Sequence, residues 1–438
     1  MPGNVGGYRC RAALIVMLMV IGLSANAGGG YFDLGYGHMS KQMASANTAV
    51  IGDAFAGASN PAKLVAAGDR TDFGFEFFLP SRRVKRSGSG TPYDMESTSR
   101  NSLFMIPELA FSRQLNDGLA VGLTIYANGG LNTEYRDDNG VPGSNFNPAE
   151  CGAAPANIFL GCGKAGFDLT QLVIAPTIAW KVNERHAFGI APLIAVQRFE
   201  AYGLQAFAPL SKYPTKVSNH GHDIALGYGA RVGWYGDLYP WLSAGVSYST
   251  KLYMQEFEHY KGLFAEGSFD IPANYSIGVA LRPTDEWLVA VDLRRIEWGE
   301  VNALSNGVLN SLLPGGPAQG SQNGSGFNWN SRNSVHVGIA YKWSPRLTLR
   351  AGVAYGKRPN DDSINSVTFN LLAPNANRAY SAGLTWEVKD EQEFHLSLGH
   401  YVEQTYRGPS ATAVIGVGGT EEITAHVEMI TLGWSWKY

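Results

Sequence analysis

The sequence predicts an all-β fold: a transmembrane antiparallel β-barrel of about fourteen strands with an N-terminal plug inside it. Three observations carry that expectation. Many segments alternate apolar and small or polar residues with the period of a strand. Short polar turns alternate strictly with long connections along the chain. No stretch after the N-terminal region reaches the 18 or so consecutive apolar residues a spanning helix needs.

The N-terminal region is expected to direct export. Arg9 and Arg11 precede an apolar run, Ala12–Leu23, followed by Ala25-Asn26-Ala27, the small-x-small form of a signal peptidase site. Residues 1–27 are therefore read as a signal peptide. The run is short for roughly 30 Å of hydrocarbon, which weighs against a retained anchor.

Composition agrees with exported β-structure. There are 53 Gly, 21 Tyr and 10 Trp, and only 16% of residues are charged, below the roughly 25% of ordinary soluble domains. The net charge of −3 supplies no basic patch for nucleic acid. Cys151 and Cys162, in "CGAAPANIFLGC", are expected to form a disulfide closing a short loop. A metal pair is the alternative, but no His or acid cluster adjoins them.

Residues 28–70 come before the first expected strand and do not alternate. The stretch is rich in small residues, with helical spacing at Met39, Met43 and Ala46 and again at Val50, Ala54 and Phe55, and it contains Asn60-Pro61-Ala62. Such residues pack well inside a wide barrel, whereas a periplasmic tail would be more polar. This segment is read as the plug, and residues 71–438 as the barrel.

The first strand is expected near 71–84. Later segments repeat the pattern: "SVHVGIAYKW" puts Val335, Val337, Ile339, Tyr341 and Trp343 on one face, and "LTLRAGVAY" and "YSAGLTWEV" do the same. At the end, "ITLGWSWKY" puts Ile430, Leu432, Trp434, Trp436 and Tyr438 on one side. Lipid would cover that face, with its rings near the interface. Tight turns are expected at 115–118, 182–185, 236–239, 283–286, 344–346 and 389–392. Long loops are expected at roughly 85–100, 128–167, 200–221, 258–268, 300–331, 357–377 and 403–424. Short turns below and long loops above are the pattern of outer-membrane barrels, and closure leaves no strand edge in lipid.

Two of those loops carry apolar clusters suited to ligand capture. One holds Phe199, Tyr202, Leu204, Phe207, Leu210 and Tyr213; the next holds Phe257, Tyr260, Leu263 and Phe264. Loops packed only on each other are the alternative. Arg198 and Lys251, at the strand ends beside them, are candidate cations for a ligand head group, or charges at the lipid headgroup level. In "ANGG", Asn128-Gly129-Gly130 marks either a bulge or the start of the outer loop. His220, His222 and Asp223 are too few for a convincing metal site, so no metal and no cofactor is expected. No motif of a hydrolase or nucleotide-binding enzyme is present, so the chain is not read as an enzyme.

With "GDAFAGASNPAKLVAAGD" at 52–69 and "GLTIYANGGLNTEY" at 122–135, the chain resembles the FadL/TodX family of outer-membrane transporters for long-chain fatty acids and aromatic hydrocarbons. The resemblance implies passive uptake. The plug would close the lumen, the outer loops would capture hydrophobic ligand, and a kink at Asn128–Gly130 would release it sideways into the bilayer. Tyr438, an aromatic terminal residue, is similar to the signal read by the barrel assembly machinery. The expected partners are hydrophobic small molecules, outer-membrane lipid and lipopolysaccharide, and that machinery; a monomer in a Gram-negative outer membrane is expected. A nonspecific polar porin, a barrel lipase or protease, and a surface adhesin or receptor are the competing functions.

Overall fold

A computed structural model describes residues 30–438; the expected signal peptide, 1–27, lies outside the described residues. Fourteen strands form the closed barrel: β1 (Arg70–Ser87), β2 (Phe104–Asn116), β3 (Leu119–Asn132), β4 (Gly166–Asn183), β5 (His186–Tyr202), β6 (Asp223–Tyr239), β7 (Leu242–Ser249), β8 (Asn274–Leu281), β9 (Trp287–Ile296), β10 (Arg332–Ser344), β11 (Leu347–Gly356), β12 (Arg378–Lys389), β13 (Gln392–Pro409) and β14 (Thr420–Lys437). Each pairs antiparallel with its sequence neighbour. The cylinder closes between β1 and β14, in register from Arg70↔Lys437 to Ser87↔Thr420. Two short strands, Met95–Thr98 and Tyr253–Met254, edge onto β1 and β6.

The alternation has a physical outcome. On β14, Ile430, Leu432 and Trp436 are exposed on the outer face, as is Tyr438 just after it, while Thr431, Gly433 and Ser435 are buried inside. β5 repeats it: Phe188, Ile190 and Ile194 point out, and Ala187, Ala191, Leu193 and Ala195 point in. An apolar outside and a packed inside is stable only where hydrocarbon replaces water. No helix among the described residues is long and apolar enough to cross a membrane.

Short turns and long loops lie at opposite ends, with two shifts from expectation. The third turn falls at 240–241, not 236–239, because a register shift between Asp237 and Tyr239 lets β6 continue to Tyr239. The last long loop shrinks to 410–419: β13 and β14 run on as a ladder, with Thr405 bonded to Thr424 at 2.8 Å and Arg407 to Glu422 at 3.3 Å. Such cross-strand pairs stabilise the extended ribbon.

Residues 30–69 fill the lumen. Helix is limited to α1 (His38–Gln42) and two 3-10 turns, Phe55–Ala58 and Pro61–Ala66. The helical spacing at Met39, Met43 and Ala46 does not extend into a longer helix, because Ala44 and Ser45 turn to positive φ. Asn60 explains the Asn-Pro-Ala sequence. Its Oδ1 accepts from Ala62 N at 3.1 Å, capping the turn; its Nδ2 donates to Thr48 O at 3.0 Å and to Trp234 O on β6 at 2.9 Å. Pro61 sits where no N–H is needed, and Ala62 is fully buried.

A plug with little regular structure leaves main-chain groups to satisfy. The inner wall supplies partners. On β9, Asp292 Oδ2 accepts from Asn47 N, Thr48 N and Thr48 Oγ1 at 2.7–2.8 Å. Ser381 accepts from Ala44 N at 2.7 Å, and Arg231 donates to Gly57 O at 2.7 Å. Lys41 Nζ lies 2.7 Å from Glu76, 3.3 Å from Asp33 and 3.5 Å from Glu108. Small inward residues make the room: a Cβ at Gly352 would lie 2.2 Å from the Met43 carbonyl carbon.

Candidate functional site

The site is a break in the wall. From Asn116↔Leu119 to Leu109↔Ile125, β2 and β3 pair normally. Beyond that point, among the barrel strands, Phe104–Glu108 of β2 pair only with β1, and Tyr126–Asn132 of β3 only with β4. A register shift between Ala127 and Gly129 marks the bend in β3, as expected of an inserted residue next to glycine. On the opposite lip, Pro107 has no N–H to offer a neighbour, which suits an unpaired edge.

An open edge facing lipid would be costly. The N-terminal segment takes the vacant place beside β3. Phe32 bridges Gly129 in antiparallel fashion. Gly130 N donates to Tyr31 O and Asp33 N to Asn128 O, both at 3.2 Å. Tyr36 OH donates to Asn128 O at 2.8 Å, and Asn128 Nδ2 to Gln171 Oε1 at 2.8 Å. Asn128 thus holds the bend from both sides.

Between the lips lies a cavity of about 290 Å³, at the lower end of the roughly 300–1,000 Å³ of small-molecule sites. Phe104, Met105 and Ile106 form one side, Gly129, Gly130 and Leu131 the other, and Tyr31–Asp33 the floor. Met105 lines the cavity and is also 63% exposed on the outer face. One side chain therefore touches both the interior space and the surroundings of the barrel. Outside the strands, burial first, and then the charge of Glu76, pushes the Asp33 carboxyl up to about 7. Burial alone would lower Lys41, but Asp33, Glu108 and Glu76 hold it raised and charged.

The expected capture residues lie elsewhere. Phe199, Tyr202, Leu204, Phe207, Phe257, Tyr260, Leu263 and Phe264 are buried, with Leu210 packed against them, in an aromatic roof. Phe199–Phe264 and Phe264–Phe269 centroids are 4.8 Å apart, and Trp298–Trp329 5.0 Å. Leu204, Phe207, Leu263 and Phe264 enclose a void of only about 10 Å³. None of these residues borders the large cavity.

Arg198 does not face the lumen. It shares the outward face of β5 with Ile190 and Ile194, lying 3.1 Å from His222 and 3.6 Å from Asp168. Lys251 is held by Asp270 at 3.3 Å over the Tyr253 ring. Neither reaches the cavity. His222 uses its ring nitrogens on Asp168 at 2.8 Å and Glu200 at 3.4 Å, and Asp223 accepts from His259 N at 2.8 Å. Cys151 and Cys162 are joined by a disulfide, with Cα atoms 5.9 Å apart. Residues that sequence reasoning passed over are Tyr31–Asp33, Arg82 and Phe104–Pro107. Pro107, inside a strand, was the visible clue to an edge.

Comparison with known proteins accords with the barrel fold. The profile of the family described as outer membrane protein transport protein (OMPP1/FadL/TodX) matches residues 159–435. The toluene transporter TodX of P. putida superimposes with a TM-score of 0.66 at 18% identity, covering 93% of this chain and 99% of that one. A Pseudomonas aeruginosa FadL homologue gives 0.66 at 14% identity, covering 93% and 100%. The toluene transporter TbuX of Ralstonia pickettii gives 0.62 at 16% identity, covering 92% and 98%. At such identities the structural likeness speaks for the fold. No curated protein is significantly similar in sequence.

Proposed function

The chain belongs to the OMPP1/FadL/TodX family of outer membrane transport proteins, and from that premise we propose that it takes up hydrophobic molecules passively and releases them sideways through the gap between β2 and β3. The family makes it a Gram-negative outer-membrane transporter of hydrophobic substrates; the route and the ligand are the proposal. The observation that carries the route is the pairing break at Leu109/Ile125, with its apolar cavity and Met105 on both sides of the wall.

The physics needs no energy source. Each CH₂ moved from water into an apolar site gains about 0.8 kcal/mol. The step from cavity to bilayer is close to neutral, because one apolar medium replaces another. Residues 28–70, as the plug, close the lumen to water and ions, so the wall is the exit. The aromatic outer loops would admit ligand by parting. Outer-membrane lipid and lipopolysaccharide surround the barrel, and the barrel assembly machinery inserts it as a monomer. Catalysis has no part in this scheme.

The test is uptake into vesicles. Purified protein in phosphatidylcholine vesicles should carry hexadecanoate or toluene to an internal trap well above the rate of protein-free vesicles, with little steady ion current. A large current without hydrophobic uptake would favour a porin. Uptake at the protein-free rate would overturn the proposal.

A further inference from the structure

Two guanidiniums of the wall face the plug side by side. Arg231 on β6 is buried, and Arg294 on β9 falls in step with the buried Asp292 and Ile296. Strand register brings them together. Arg231 pairs with Ser249, which pairs with Asn274; Arg294 pairs with Ser276, the next inward residue of β8. Arg231 donates through Nη1 to Gly57 O at 2.7 Å and Tyr126 OH at 3.3 Å, and Arg294 through Nη2 to Ser45 Oγ at 2.8 Å. A guanidinium has five N–H donors, so most of these are uncommitted. Neither arginine forms an ion pair with a carboxylate among the described residues.

A missing carboxylate distinguishes little by itself, since Arg82, Arg350 and Lys63 lack one too. Those three spend donors singly, on Asn132 O, Gln42 Oε1 and Asn47 O. Arg231 and Arg294 differ in sharing one void, of about 10 Å³, with Asn47 and Ser59 of the plug and Asn274 and Ser276 of β8. No carboxylate borders it. The side chains of those four polar residues make no hydrogen bond with any described residue, and Ser59 Oγ is buried. The acids nearby are engaged elsewhere. Asp292 takes three plug donors on Oδ2, and Asp33, on a separate void beyond Arg294, is held by Lys41 at 3.3 Å.

Arginine keeps its proton in a protein, so titration cannot relieve two like charges on one void. An anion between them relieves both, and uncommitted amides and hydroxyls can complete its shell. Volume decides which anion. The void has about the room that one water molecule needs, whereas a carboxylate, phosphate or sulfate brings three or more heavy atoms. A water would fill the space but leave the charges unanswered. We propose that this void binds a single monatomic anion, chloride or bromide, which ties the plug to the wall by bridging Asn47 and Ser59 to Arg231 and Arg294. The tie is independent of whichever molecule passes the gap between β2 and β3.

The measurement is amide exchange at residues 45–59 of the full-length protein in phosphatidylcholine vesicles, in potassium chloride, bromide or gluconate at one ionic strength. Heat-modifiable mobility on gels reports folding. Exchange should be slower in chloride and bromide than in gluconate. If opening of the plug releases the ion, chloride at ten times its dissociation constant slows exchange by about elevenfold. Arg231→Gln and Arg294→Gln should each remove most of the difference between chloride and gluconate. Equal exchange of wild type in chloride and gluconate would leave the void to water and overturn the proposal. So would a chloride effect that survives both substitutions, or one of the same size at the barrel turns, which would be salt acting on the whole protein. Where neither variant folds, wild-type crystals grown in bromide decide. An anomalous peak between the two guanidiniums supports the site, and its absence there overturns it.

Discussion

The carbonyl oxygen of Tyr31 occupies the space that a side chain at Gly129 would need: a Cβ there would lie 1.8 Å from it, at a φ of +151° that glycine alone adopts readily. The floor of the cavity and the bend in the wall are therefore one unit. Gly129→Val should expel Tyr31–Asp33 from β3 and let that strand swing back towards β2. Hexadecanoate uptake into vesicles should fall tenfold or more, while the folded band on unheated gels persists. Unchanged uptake would separate the bend from transport.

Asp292 anchors the plug through a single oxygen that takes three donors. Asp292→Ala leaves those donors buried and unpaired, at about 3 kcal/mol or more. The barrel should survive, since its own ladder is untouched. Planar-bilayer conductance should rise, and amide exchange around residues 44–50 should quicken by about a hundredfold. Wild-type conductance in this variant would mean that other contacts hold the plug.

Asp33 makes the floor sensitive to pH. Its carboxyl is raised from 3.8 in the open chain to about 7, so the folded floor favours the protonated form. That stabilisation is complete below pH 3.8 and is lost as pH rises through about 7. Amide protection at residues 30–36, corrected for intrinsic exchange, should therefore be weaker at pH 8 than at pH 6. Asp33→Asn should remove the difference. Equal protection in wild type at both pH values would contradict the assignment.

The Cys151–Cys162 bridge closes a loop with a sequence separation of 11, worth up to about 3 kcal/mol locally. Double replacement by serine should make the outer loop at 133–165 a protease target. The barrel midpoint in denaturant should stay within experimental error, because β3 and β4 pair independently of the bridge. A matching loss of barrel stability would show that the loop braces the wall.

The barrel was legible because period-2 alternation and turn spacing are local. Strand ends were less so: nothing in residues 403–424 signals that the ladder runs on to Pro409 and Thr420. Asn128-Gly129-Gly130 suited either a bend or the start of the outer loop, because glycines serve both, and the register shift in β3 is what distinguishes them. The cavity was not visible, because residues 31–33, 82, 104–107 and 372 meet only in three dimensions. Hydrophobic loops such as Phe199–Leu210 look alike whether they form a groove or a roof. Strand parity did hold the information on cations. Arg198 falls in step with Ile190 and Ile194, which face out, whereas Arg82 falls in step with Asp72, Glu76 and Arg86, which face in.

The seam between β1 and β14 governs how the chain can be born. During synthesis the opening strand emerges first and its final neighbour last, so one raw flank waits for nearly the whole polypeptide to follow. Pairings so distant are slow to form, and a bare flank invites strands from other chains. A nascent chain released before residue 420 should be left with two such flanks and should aggregate rather than shrink to a smaller cylinder.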